Sequence, residues 1–336
     1  MVNKKELSID AFSSNCLMGV TGAIARYLYK IENLNRMYFH HSYTYQKQET
    51  VKIDHEKNCM NVWFSREIPM EKEQFVNRLA YYYGLEYLYA KYSNFDSMIN
   101  DIAKLIAKGQ PVMIEIDFFF MRAHRYYKKI HDMHMMIIYD IDFDRSVFHI
   151  CEAVFGYMEM EFDEYLEHFN EIISNRQREI NILLLKRKSE NIQKINLDNF
   201  KADVDKTLNN LVKGEGISDF LLFKRDFLDL MRHKKKISNI SIPGMWVFMC
   251  DHLNNYSFIK EFEKDHRHFK SSSLEKIKEH SVALNRKWFQ LYMMLNEARN
   301  HTCDRYIKIL DDIEEKDQLF LTNLLLLQEE LRSYSV

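Results

Sequence analysis

The chain has 336 residues, about twice a typical domain, with acidic and basic residues mixed along it to a formal net charge of −2, so no electrostatic footprint points to nucleic acid or an anionic membrane surface. Eight glycines and three prolines disfavour sandwiches, barrels and Gly-rich nucleotide folds, which need turn residues at regular intervals, and favour long helices with few strands. With 46% hydrophobic residues, the expectation is a helix-rich α+β chain of two domains.

Residues 1–9 carry Lys4 and Lys5 with no apolar run behind them, and every apolar stretch is far shorter than the ~20 residues that span a bilayer. The cysteines Cys16, Cys59, Cys151, Cys250 and Cys303 are odd in number and widely spaced, without a CxxC pair, which argues against both a disulfide framework and a zinc site. A cytoplasmic protein with reduced thiols and no membrane partner is expected.

Residues 13–31 read as a helix, because Leu17, Val20, Ile24, Tyr27, Leu28 and Ile31 share one face. Ser13, Ser14 and Asn15 are N-cap types, which puts Cys16 in the first turn. From 35 to 70 the pattern is mixed, with Met37 to His41 and Met60 to Phe64 as strands or covering loops. Helices follow at 71–83 and 95–108, the second stopped by Gly109 before Pro111. The aromatic series Tyr81 to Tyr83, Tyr87, Tyr89 and Tyr92 has near-helical spacing and reads as core packing or a substrate platform.

The most β-like stretch comes next, with short Val-, Ile-, Phe- and Tyr-rich runs at Val112–Phe118, Met135–Ile141, Ser146–Cys151 and Tyr157–Phe162. Together they predict an antiparallel sheet, completed by a helix at 163–174 and a strand at 180–185 and packed against the first helix. The charged stretch 186–194 reads as a linker between a domain at 1–188 and a helical domain at 195–336. In the latter, amphipathic runs lie at 217–232, 245–266, 272–299 and 303–333, with no convincing strand. The basic run His233 to Lys236 is either a solvated helix end or a landing point for an acidic partner.

A thiol in the opening turn of a helix faces unpaired N–H groups and the positive end of the dipole, which favour the reactive thiolate, although an isolated Cys is more often a small buried apolar residue. His134 opens an apolar strand more than a hundred residues downstream of Cys16. In papain-like folds the nucleophile opens a helix and the base opens a strand, so the order present here suits Cys16 and His134. Glu152, at the end of the following strand, is placed to hold the imidazole in the useful tautomer, or is a surface carboxylate. His131 is an alternative base if the strand begins earlier. Asp117, His124, His131, Asp132 and His134 invite a metal reading, but no Cys or His pair completes a tetrahedral set. No metal and no cofactor is expected.

The block Asp117-Phe-Phe-Phe-Met-Arg-Ala-His124-Arg-Tyr-Tyr-Lys-Lys-Ile-His131-Asp-Met-His134, continuing through Tyr139 and Asp142, resembles the butirosin biosynthesis protein H family. Ser14-Asn15-Cys16 is similar to that family's nucleophile segment, and Val147 to Glu152 followed by Gly156 to Tyr165 resembles its strand, acidic residue and strand-to-helix corner. Ser271 to Ala298, with Trp288 near its middle, resembles the helical extension often attached to it. The resemblance implies a papain-like cysteine acyltransferase that moves an acyl or aminoacyl group from an acyl carrier protein to an amine-bearing acceptor in antibiotic-like biosynthesis. Cys16 would be the nucleophile, His134 the base and Glu152 its orienting acid. Backbone N–H of Cys16 and the Asn15 side chain would form the oxyanion site, with Asp117 in a positioning role. The chain departs from the family in three places. Residues 32–62 lack glycine, Asp140-Ile141-Asp142 stands where Gly-Tyr-Asp is usual, and the orienting acid is Glu rather than Asp. Alternatives are a cysteine hydrolase or peptidase using the same residues, and a catalytically silent scaffold in which Cys16 is merely buried. The sequence does not indicate an oligomeric state.

Overall fold

A computed structural model describes residues 7, 16–41, 44–45, 53–54, 59–61, 64–65, 72–124, 127–129, 131, 133–152, 156–175, 179–212, 216–233, 239–241, 245–296 and 303–334. The chain divides into two compact units, Met1–Leu34 with Val76–Ile192, and Asn35–Phe75 with Gln193–Val336.

The first unit contains, in chain order, α1 (Cys16–Tyr29), α2 (Lys72–Tyr83), β1 (Leu85–Tyr92), α3 (Phe95–Ala107), β2 (Val112–Asp117), a 3-10 turn (Phe118–Phe120), β3 (Met133–Asp142), β4 (Val147–Glu152), β5 (Gly156–Glu161), α4 (Phe162–Asn175) and β6 (Ile180–Arg187). Its six strands form one antiparallel sheet in the order β1-β6-β2-β3-β4-β5. The sheet fits the Val- and Ile-rich runs of the sequence. In β2, Val112, Met113, Ile114, Ile116 and Asp117 are all buried, which for side chains alternating between faces means that this strand is covered on both sides.

Helix α1 lies across the sheet through a series of bonds. Thr21 Oγ1 lies 2.5 Å from Tyr87 Oη of β1, and Tyr29 Oη donates to the Leu185 carbonyl of β6 at 2.8 Å. Helix α3 is capped by Asn94, whose side chain accepts from Ser97 N at 2.8 Å. It stops at Gly109 (φ +76°), where Gln110 N reaches back to the Leu105 carbonyl.

Two expectations for this unit are corrected. The aromatic series 81–92 is not one helical face, because Tyr81 to Tyr83 end α2 and Leu85–Tyr92 form an edge strand paired with β6 over eight residues. Gly84 makes the break. It has φ +61°, and a Cβ there would lie 2.4 Å from the Ser189 carbonyl oxygen, so only glycine fits between helix and strand. The stretch 186–194 is not all linker, since β6 continues through Arg187, opposite Leu85.

The second unit is mainly helical, with α5 (Leu197–Val212), α6 (Ile217–His233), α7 (Met245–Asp265), α8 (Ser272–Asn296) and α9 (Cys303–Ser333). Helix α5 was not anticipated. Asn196 caps it, its side chain accepting from Asp198 N (2.8 Å) and Asn199 N (3.1 Å). The core gathers Phe220, Phe223, Phe258, Phe262, Trp288 and Phe320, with Trp288 edge-on to Phe220 at 5.9 Å. The expectation of no strand beyond 195 is also corrected, because Asn239–Ser241 pairs in parallel with Cys59–Asn61, which pairs in turn with Ile53–Asp54. Thr44–Tyr45 and Phe64–Ser65 form a separate two-stranded pairing.

Within this unit the run 37–41 is neither helix nor strand. It is held by side chains instead. Phe39 is buried against Phe200, Phe258 and Phe320, and its N–H donates to Asp203 at 3.2 Å. Asn255 of α7 brackets His40, accepting from its N–H at 2.9 Å and donating to its carbonyl at 2.7 Å. Lys234 to Lys236 lie outside the described residues. No helix among the described residues is long and apolar enough to cross a membrane.

Candidate active site

Three elements of the first unit bring Cys16, His134 and Glu152 together. Cys16 is the first residue of α1, His134 the second of β3, and Glu152 the last of β4. Strands β3 and β4 are neighbours, with Ile137 opposite Cys151, so the start of one and the end of the other lie at the same edge of the sheet. The N-terminus of α1 reaches that edge.

His134 Nε2 lies 2.5 Å from Glu152 Oε1, which leaves the other ring nitrogen for Cys16, to which His134 is hydrogen-bonded. The His134 side chain is 16% exposed and that of Glu152 is 0% exposed, so the pair operates with little water around it. Burial on its own pushes the imidazole down. The bonds to Cys16 and Glu152 and their charges outweigh it and raise His134 to about 9. Burial likewise pushes the Cys16 thiol up, but the bond and charge of His134, followed by the backbone of Met135 and Leu17, bring it below the ordinary thiol range. The two shifts have the signs of a thiolate–imidazolium pair, one seen from each partner.

The ring of His134 is also held from the side. Phe118 stacks on it at 4.5 Å between centroids, and His124 stacks on Phe118 at 3.8 Å. Phe118 opens the 3-10 turn capped by Asp117, whose carboxylate accepts from Phe119 N at 3.0 Å and lies 2.8 Å from His131 Nδ1. Asp117 is fully buried whereas the His131 side chain is 56% exposed and stacked on Phe119 at 4.1 Å. Asp117 is thus linked to His134 through the turn and Phe118. His131 belongs with Asp117, while His134 takes the place beside Cys16.

Helix α4 anchors the rest of this loop. Arg122 N donates to Glu164 at 2.8 Å, Arg122 pairs with Asp163 at 2.6 Å, and Lys128 pairs with Glu167 at 2.6 Å. Lys128 adopts φ +52° to turn the chain, its N–H donating to the Phe119 carbonyl at 2.9 Å. Burial raises the Glu164 carboxyl, which accepts from both Arg122 N and Glu161 N. The sequence singles out neither Phe118 nor Glu164 and offers His131 only as an alternative base or metal ligand; the contacts of Phe118 and His131 depend on the pairing of Asp117 with Met133 across the β2–β3 connection.

Asn15 and Asp132 lie outside the described residues. The other members of the metal reading are divided among partners. His131 is with Asp117, His134 with Glu152, and His124 stacks on Phe118.

Residues 53–153 match the family described as Butirosin biosynthesis protein H, N-terminal, which bears out the resemblance over that segment. The match takes in Asp117, His134 and Glu152 but not Cys16, which joins them only in three dimensions. No curated protein matches the chain.

Proposed function

We propose that the first unit is a papain-like, cysteine-dependent acyltransferase of antibiotic-type biosynthesis, and that it moves an acyl or aminoacyl group from a carrier-protein thioester to an amine. The observation that carries this reading is the hydrogen-bonded series Cys16–His134–Glu152, with the thiol held down and the imidazole held up. A silent scaffold gives no reason to keep a half-buried thiol beside a charged imidazole. The family match adds its biosynthetic context.

In the first step the Cys16 thiolate attacks the thioester carbonyl carbon, and the tetrahedral intermediate expels the carrier thiolate, which takes the proton from His134. The Cys16 N–H, at the helix N-terminus, serves as a donor for the oxyanion. In the second step the acceptor amine attacks the acyl-Cys16 carbonyl, neutral His134 removes the amine proton, and the Cys16 thiolate leaves. Glu152 carries no proton through the cycle. It keeps Nε2 occupied, so the ring always turns its other nitrogen to the sulfur.

The test is incubation with an acyl-N-acetylcysteamine thioester, peptide-mapped mass spectrometry, and a chase with a panel of amines. An acyl adduct on Cys16 that converts to amide supports the proposal. Conversion to free acid alone identifies a hydrolase. No adduct on Cys16, with thiolate formation demonstrated independently, overturns acyl transfer.

A further inference from the structure

The helical unit holds a cluster that the acyl-transfer reading does not use. His41 from the 37–41 run, His252 of α7 and Asp317 of α9 are 1%, 0% and 2% exposed. His41 Nε2 lies 3.1 Å from Asp317 Oδ1, and the rings of His41 and His252 are 4.6 Å apart. One ligand atom from each of the three falls within 4.8 Å of the others. Among the described residues, neither nitrogen of the fully buried His252 ring has a hydrogen-bond partner. Burying an imidazole with neither nitrogen satisfied is costly, and a cation that accepted one lone pair would remove part of that cost.

We infer that His41, His252 and Asp317 bind one divalent transition-metal ion of the zinc type, clasping the 37–41 run to α7 and α9. Two imidazoles and one carboxylate suit zinc, iron, cobalt or nickel, whereas magnesium and calcium take sets of oxygens. Ligands about 2.0–2.1 Å from a tetrahedral centre are separated by about 3.3 Å. His41 and Asp317 already have that spacing, and His252 reaches it by closing on the order of 1 Å. Binding requires the His41 tautomer with its proton on Nδ1, so that Nε2 offers a lone pair. A fourth position is left for water.

The surrounding residues pre-position His41. Asn255, one helical turn after His252, brackets His40, and Phe320, one turn after Asp317, packs edge-on to His41 at 5.0 Å. Helices α7 and α9, which hold the run together with α5, also present the other two ligands to it.

Full-length protein is treated with EDTA, desalted and titrated with Zn2+, with bound metal measured by elemental analysis and the site probed by Co2+ absorption. One equivalent retained on desalting, accompanied by a higher thermal midpoint, is the expected result. His252→Asn and Asp317→Asn should each weaken binding at least about 100-fold, and Cys16→Ala should leave it unchanged. Asp317→Asn keeps the shape of the side chain, so it decides the matter if His252→Asn fails to fold. Absence of stoichiometric binding, or wild-type affinity in folded Asp317→Asn, overturns the inference. Neither result bears on acyl transfer at Cys16.

Discussion

Replacing His134 with alanine should change how Cys16 reactivity depends on pH, and not only its absolute rate. In the wild type, His134 remains protonated up to about pH 9 and holds the thiol below its ordinary range. In His134→Ala the burial that pushes the thiol up persists, and only the backbone of Met135 and Leu17 opposes it. An ordinary thiol with pKa near 8.5 loses about 80-fold of its thiolate between pH 8 and pH 6, and one raised further loses about 100-fold. The variant should follow that fall, while the wild type should fall clearly less. Comparing rates within each protein cancels the lower intrinsic nucleophilicity of a low-pKa thiolate, which would otherwise mask the difference at a single pH. The assay is the iodoacetamide rate at Cys16, read by peptide-mapped mass from pH 6 to pH 8. Parallel profiles, both falling about 80-fold, would refute the thiolate–imidazolium pair.

Glu152→Gln keeps the shape of the orienting side chain but removes its charge, so the His134 midpoint should drop from about 9 by about one unit. This is read from the ring C–H resonance of His134 in an NMR titration, and an unmoved midpoint means that Glu152 contributes nothing. Gly84→Ala places a Cβ 2.4 Å from the Ser189 carbonyl at φ +61° and should cost at least about 2 kcal/mol in urea unfolding. A loss below about 0.5 kcal/mol would show that the α2–β1 junction relaxes freely.

The sequence exposed the parts of the site that depend on order along the chain. A helix start, a strand start and a strand end carry Cys16, His134 and Glu152, and antiparallel pairing of β3 with β4 brings the last two together. It did not expose the partners set by register. That Asp117 faces Met133, which puts its carboxylate by His131 and its turn under His134, is decided across a loop without periodicity. Strand β1 was obscured because tyrosines two or three apart satisfy a helical period nearly as well as an alternating one. Helix α5 does carry a helical signature, with Asn196 as cap and Phe200, Val204, Leu208 and Leu211 at helical spacing, so no physical ambiguity in the sequence hid it. His41, His252 and Asp317 carry no ligand spacing at all, so their meeting could be read only from the fold.

The route of the chain has a consequence for its synthesis. It enters the helical unit at Asn35, returns to the sheet-bearing unit at Val76, and goes back at Gln193. Phe39 is thus made well before its stacking partner Phe320. Residues 193 onward cannot be removed by a single cut without stripping Phe39 of Phe200, Phe258 and Phe320. A nascent chain ending near residue 192 can complete the six-stranded sheet while Phe39 still lacks its apolar housing. Such an intermediate exposes apolar surface and is prone to aggregation when the chain is truncated.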